Sequence, residues 1–170
     1  SPNLVHKTLN YKSINESIKS LGTKFLKYES WAVAYDDSEN SICANEIRIK
    51  LSENCYQAIP YLTLNKIIEL KIKNSFITII SNKNINTLDS QISRIMYRKN
   101  FVVLINPKSI FNSKKNGKRY NRNKFININF PPAKKYYSFL PSIISGQLLS
   151  YHLAKVMDSR SKILMKYRGS

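Results

Sequence analysis

"FITIISNKNINTLDSQISRIMYRKNFVVLI", residues 76–105, carries the pattern that decides the fold. Residues 76–81 are β-branched and almost wholly apolar, as expected of a strand covered on both faces in a parallel sheet. Residues 87–99 then place Leu88, Ile92, Ile95 and Met96 on one side of an amphipathic helix. A second buried strand follows at 101–105. Upstream, "WAVAY" (31–35) reads as another buried strand, and "DDSEN" supplies a turn with Asn40 or Ser41 as N-cap for a helix over about 41–56. Strand, helix, strand, helix, strand predicts an α/β domain with a doubly wound parallel sheet.

The flanks extend this picture. Ile14, Ile18, Leu21 and Phe25 mark one apolar stripe of a helix over about 12–28, while residues 1–11 read as an extension or linker. Pro60 ends the helix that precedes it. A short strand is expected at 125–128, and "SFLPSIISGQLLSYHLAKVMD" (138–158) predicts a long, largely buried helix. Within it, Ser145-Gly146 reads as a close-packing site, since a nucleophile elbow needs a strand before it.

With 170 residues, 42% hydrophobic, the chain suits one domain with a proper core, spanning about 12–168. Cys43 and Cys55 lie on one predicted helix about 18 Å apart, too far to bridge, so both read as buried free thiols of a reducing, cytoplasmic compartment. No run approaches a transmembrane length and the start lacks a signal-peptide core, so no membrane association is expected; the absence of an initial Met reads as a fragment or a processed chain. The two Cys and two His are too scattered for a zinc signature, and no glycine-rich phosphate loop occurs, so neither metal nor cofactor is expected. His152 reads as a satisfied core or interface histidine, and His6 as solvated.

The formal charge is +18, from 28 Lys and Arg against 10 Asp and Glu, which attracts polyanions. An AT-rich coding bias produces the same Asn, Lys, Ile and Tyr excess. The charge concentrates in a basic insertion at about 107–124, where Lys114, Lys115, Lys118, Arg119, Arg122 and Lys124 read as polyanion contacts and Tyr120 as an aromatic able to stack on a base.

Three charges on the second helix carry the functional reading. Glu46, Lys50 and Glu53, at i, i+4 and i+7, share one face, while Arg48 points away. Spacing alone makes them an exposed stripe of ordinary ion pairs. The segment as a whole, "ANEIRIKLSENCY" (44–56), resembles the first helix of the second sugar isomerase (SIS) half in the glutamine:fructose-6-phosphate aminotransferases, the glucosamine-6-phosphate synthases. In a divergent branch of that family the helix likewise follows a strand starting with Trp, here Trp31. "FLPSIISGQLLSYHLAKVMDSRS" is similar to the family's closing helix, and element order agrees over most of 14–168.

That resemblance implies a three-layer SIS fold with four to five parallel strands, and assigns roles. Glu53 would be the base that moves a proton between adjacent sugar carbons, Lys50 its charge partner and hydroxyl ligand, and Glu46 a support for Lys50. The implied reaction converts fructose 6-phosphate and glutamine-derived ammonia to glucosamine 6-phosphate. It requires a phosphosugar substrate, a second SIS half or subunit in a homo-oligomer, and a glutaminase domain. Three departures stand against the pattern: "YDDSEN" (35–40) replaces a glycine-containing turn, residues 64–70 lack the family's ring-opening His, and the flexible C-terminal tail with its Lys is not recognisable. They support an alternative, a catalytically inactive SIS-fold binding or structural module whose basic surface serves a larger, RNA-containing assembly.

Overall fold

The computed structural model describes residues 2–108, 120–121, 123–133, 137 and 139–159. The chain forms α1 (Pro2–Leu9), α2 (Lys12–Leu21), a 3-10 turn (Lys24–Lys27), β1 (Ser30–Tyr35), α3 (Ser38–Cys55), β2 (Tyr61–Thr63) and α4 (Leu64–Glu69). It continues through β3 (Ser75–Ile80), α5 (Ile85–Tyr97), β4 (Phe101–Pro107), β5 (Phe125–Phe130) and α6 (Phe139–Asp158). The five strands make one sheet in the order β2-β1-β3-β4-β5, and every neighbouring pair is parallel.

Both faces of the sheet are covered, which is why β3 and β4 are apolar without alternation. On one face Trp31, Phe76 and Phe101 stand in register across β1, β3 and β4 and pack ring to ring, with Phe25 against the first two. Helices α2, α3 and α6 close over them through Ile14, Ile18, Ile47, Leu51, Leu149 and Leu153. On the opposite face Ile77, Ile79, Val102 and Leu104 meet α4 and α5 through Leu64, Ile67, Leu88, Ile92 and Ile95. The layers are helix, sheet, helix.

Several boundaries differ from the sequence expectation. The first long helix ends at Leu21 because Gly22 takes φ +52, and Phe25 reaches the core from a 3-10 turn instead. Helix α3 begins at Ser38, earlier than expected, because the side chain of Asp37, and not that of Asn40 or Ser41, accepts the N–H of Asn40 at 3.2 Å. After Pro60 the chain adds the short β2 to the sheet edge, where Val33 donates its N–H to the Pro60 carbonyl, and α4 follows on a Thr63 cap. Three residues are too few to show strand periodicity in a sequence. No described helix is long and apolar enough to cross a membrane.

Candidate functional site

Helix α3 is two-sided. Cys43, Ala44, Ile47, Leu51 and Cys55 are buried, Cys43 and Cys55 as free thiols, and burial raises the pKa of Cys43. The opposite side presents Glu46, Lys50 and Glu53. Lys50 Nζ lies 3.0 Å from Glu53 Oε2, with side chains 37% and 59% exposed. The hydrogen bond that Lys50 donates to Glu53, then the Glu53 charge, raises the pKa of Lys50 above the ordinary lysine value, and Glu46 adds to this through space. Arg48 donates from Nε and Nη2 to Asn45 Oδ1 and takes no part in the pair. The three residues singled out from the sequence therefore share one face, with Lys50 and Glu53 in direct contact.

What fixes that face is the seam with α6. A Cβ on Gly146 would overlap the side chain of Ile47, so the two helices approach as closely as they do only because residue 146 is glycine. This bears out the close-packing reading, and Ser145 spends its hydroxyl on the Pro141 carbonyl at 2.7 Å. One turn further, the buried Ser150 donates its hydroxyl to the Lys50 carbonyl and accepts from Asn54 Nδ2, both at 2.9 Å. The turn that carries Lys50 and Glu53 is thus tied to α6 by hydrogen bonds, and sequence reasoning missed this tie. The available signal was a serine among the apolar positions of that helix, one of three in α6.

A second polar cluster lies at the carboxyl ends of the strands. Asp36, just beyond β1, has a buried side chain that accepts Ser81 Oγ at 2.7 Å, Asn40 Nδ2 at 2.8 Å and the Lys83 ammonium at 3.3 Å. Asn106, near the end of β4, donates to the Lys83 carbonyl and accepts from Asn129 of β5. Sequence reading took "DDSEN" as turn and cap and as a departure from a glycine-containing turn, not as a buried network.

The remaining candidates separate from both clusters. Lys124 is exposed, while Lys114, Lys115, Lys118, Arg119 and Arg122 lie outside the described residues. Tyr120 is a correction: its hydroxyl donates to the Asp89 carboxylate and its ring packs on Phe125 at 4.6 Å, so it is spent on the fold and not presented for stacking. Burial, then the Asp89 hydrogen bond, raises its pKa strongly. His6 is exposed, as expected. His152 is half-buried, and its Nε2 is buried without a hydrogen-bond partner among the described residues, which leaves an interface role for this histidine open. Burial and the neighbouring Lys155 lower its pKa. Residues 64–69, which lack a histidine, form α4 against the other face of the sheet.

The architecture has well-defined relatives among solved structures. The C-terminal domain of glucosamine-fructose-6-phosphate aminotransferase from Francisella tularensis superposes with a TM-score of 0.68 over 91% of this chain, at 21% identity. The fold is that of the sugar isomerase domains. A Listeria monocytogenes protein described as a candidate sugar-phosphate isomerase matches the SIS fold with a TM-score of 0.60, at 11% identity, over 92% of this chain and 87% of its own. The Vibrio vulnificus NanR protein, solved with ManNAc-6P, matches with a TM-score of 0.58 at 8% identity, over 89% of this chain and 57% of its own. The chain spans 42% of the length of the Francisella chain, so it corresponds to part of that protein. By sequence alone, no family model and no curated protein matches it.

Proposed function

We propose that this chain is one half of a phosphosugar isomerase module of the glucosamine-6-phosphate synthase type, with Glu53 as its proton-transferring base. The observation that carries the reading is the Lys50–Glu53 contact on the outward face of α3, in the segment whose sequence resembles the corresponding aminotransferase helix. The SIS fold supports it, as does the Francisella relative. A sugar bearing a phosphate is the ligand class, consistent with the ManNAc-6P complex of the Vibrio protein.

Isomerisation of a ketose phosphate moves one proton between neighbouring carbons. A single carboxylate can accept it from one carbon and return it to the other if held within about 3 Å of both. Glu53 has that chemistry. Lys50 balances its charge and offers N–H donors to a substrate hydroxyl, and the Glu46 charge one turn away favours the Lys50 ammonium through space. Exposure sets a requirement: at 59% exposed, Glu53 works in a dry site only when something covers α3. Ile42, which is 77% exposed one turn before Glu46, gives the covering half an apolar foothold on the same face. The covering element is a companion SIS half or second subunit, and a glutaminase domain supplies ammonia.

The test is Glu53→Gln in the native protein that contains this chain, followed by formation of glucosamine 6-phosphate from fructose 6-phosphate. A variant as fast as the parent ends the reading. One observation favours the non-catalytic module instead: the carboxyl edge of the sheet is filled by its own side chains. On that reading the native protein forms no product, and its basic surface binds RNA with an affinity that falls steeply with salt.

A further inference from the structure

All five strands run the same way, so their amino ends share one edge of the sheet, and the residues that lead into β3, β4 and β5 lie side by side there. These are 70–74, 98–100 and 123–124, and two strand spacings of about 4.8 Å put them within roughly 10 Å of one another. They carry Lys71, Lys73, Arg98, Lys99 and Lys124 and no Asp or Glu. The four lysines are exposed, and Arg98 donates Nη1 to the Ile68 carbonyl at 2.7 Å, a neutral partner that leaves its charge unbalanced. Buried Asn100 pins the first two loops: its Oδ1 accepts the Ser75 N–H and its Nδ2 donates to the Ile72 carbonyl, between Lys71 and Lys73, both at 2.9 Å. The Asn74 N–H reaches the Arg98 carbonyl at 3.2 Å, and the Val102 N–H reaches that of Lys124 at 2.9 Å.

The fold gathers these cations from distant places in the chain. Nearby acids do not cancel them: Glu69, at the end of α4, is paired with Lys66 at 3.2 Å, and Glu29 stands before β1, one strand further along the edge. Asp36 and Asp37 follow β1 at the opposite edge. Helix dipoles favour cations at helix C-termini, which accounts for Arg98 and Lys99 directly after α5. The dipole does not account for Lys73, four residues past α4, or for Lys124, which follows no described helix. An aromatic borders the same surface. Arg94, Tyr97 and Arg98, at i, i+3 and i+4, share one face at the end of α5, and Tyr97 is 90% exposed. With Ser93 they line an open hollow of about 370 Å³. Unlike Tyr120, whose ring packs on Phe125, Tyr97 presents its ring to solvent.

We propose that the amino edge of the sheet is a binding surface for single-stranded nucleic acid, with Lys71, Lys73, Lys99 and Lys124 along the phosphates and a base stacked on Tyr97 beside Arg94 and Arg98. Charge complementarity selects a polyanion. The single exposed ring among arginines, beside a hollow, selects a nucleic acid over a lipid surface, which calls for a broad apolar face to bury. The inference rests on the RNA-binding reading above and gives it a location, one made by the packing of three loops and not by the basic insertion. It stands apart from catalysis at Glu53.

The experiment is fluorescence anisotropy of a labelled oligouridine of about 12 nucleotides, titrated with the native protein that contains this chain at several salt concentrations. Wild type is expected to bind, with an affinity that falls steeply with salt. Lys73→Gln with Lys99→Gln is expected to weaken binding at least about tenfold at low salt and to lower the salt slope by about 0.7 for each lysine removed. Lys7→Gln with Lys19→Gln, which removes the same charge from exposed positions on α1 and α2, is expected to leave both unchanged. Tyr97→Ala is expected to weaken binding at least about fivefold with the slope unchanged, and Tyr97→Phe to restore it. Equal losses in the two lysine pairs overturn the proposed surface while the RNA-binding reading stands. A wild type that binds no oligouridine, or that binds only phosphatidylserine vesicles, overturns both and needs no variant to fold. A folded Tyr97→Ala protein that binds like the parent overturns the proposal as well. The Glu53 activity test touches none of these outcomes.

Discussion

Lys50 and Glu53 face each other across one turn of α3, Nζ to Oε2 at 3.0 Å, on the side of the helix that turns away from the core. The contact raises the pKa of Lys50, with the hydrogen bond it donates to Glu53 as the largest cause. Glu53→Gln removes the charge and is expected to return Lys50 toward the ordinary lysine value, read from its Cε chemical shift as a function of pH. The linkage sign is that of a raised base: whatever stability the pair adds is present below the unfolded lysine pKa and lost as pH rises through the folded one. A Lys50 titration that is the same in both proteins would show that the pair does not persist in solution.

The α3–α6 seam is tested at one atom. Gly146→Ala adds a methyl group where the Ile47 side chain already sits, and overpacking of this kind costs about 1–3 kcal/mol. Urea unfolding measures it. An unchanged midpoint would mean that the helices separate without cost.

Much of this architecture was legible in the sequence because the core is written in runs. Strands β3 and β4 are buried along nearly their whole length, so uninterrupted apolar segments gave them away, and α5 between them kept a clean amphipathic period. Helix α6 was equally plain. Residues 2–9, 22–27 and 61–69 were not, because each is a short element fixed by tertiary contacts, a positive φ or a cap and not by periodicity. The site divides in the same way. Spacing placed Glu46, Lys50 and Glu53 on one face, and the family resemblance gave them roles. The Ser150 tie to the Lys50 carbonyl joins residues 100 positions apart, and the Ser81–Asp36 bond joins residues 45 positions apart, and nothing local in the sequence announces such pairings.

Asn100 shows how a single buried polar side chain holds the lower edge of the sheet. It is fully buried, its Oδ1 accepts the Ser75 N–H at 2.9 Å, and its Nδ2 donates to the carbonyls of Ile72 and Ile95, both at 2.9 Å. Asn100→Ala leaves these three backbone groups without that partner. Each buried orphan costs about 1–3 kcal/mol, so a loss of about 3 kcal/mol is expected in chemical denaturation, with the fold retained. A loss below about 0.5 kcal/mol would show that water or a neighbouring group replaces the side chain.

His152 gives the fold a pH dependence. Its pKa is lowered by burial first and by Lys155 second, so the folded state prefers the neutral ring. Stability from this residue is complete above the unfolded histidine value of about 6.5 and falls as pH drops through the lower folded value. His152→Gln is expected to flatten that part of the stability curve between about pH 7 and 5. A wild-type curve already flat there, with His152 titrating at its ordinary value by NMR, would contradict the account.

The most direct measurement of the central claim is the rate of glucosamine 6-phosphate formation by the native protein carrying Glu53→Gln. A positioned general base contributes about 100- to 10,000-fold, so kcat is expected to fall at least about 100-fold while KM for fructose 6-phosphate stays within a few-fold of the parent. A variant that turns over at the parent rate would remove Glu53 from the chemistry and the isomerase reading with it.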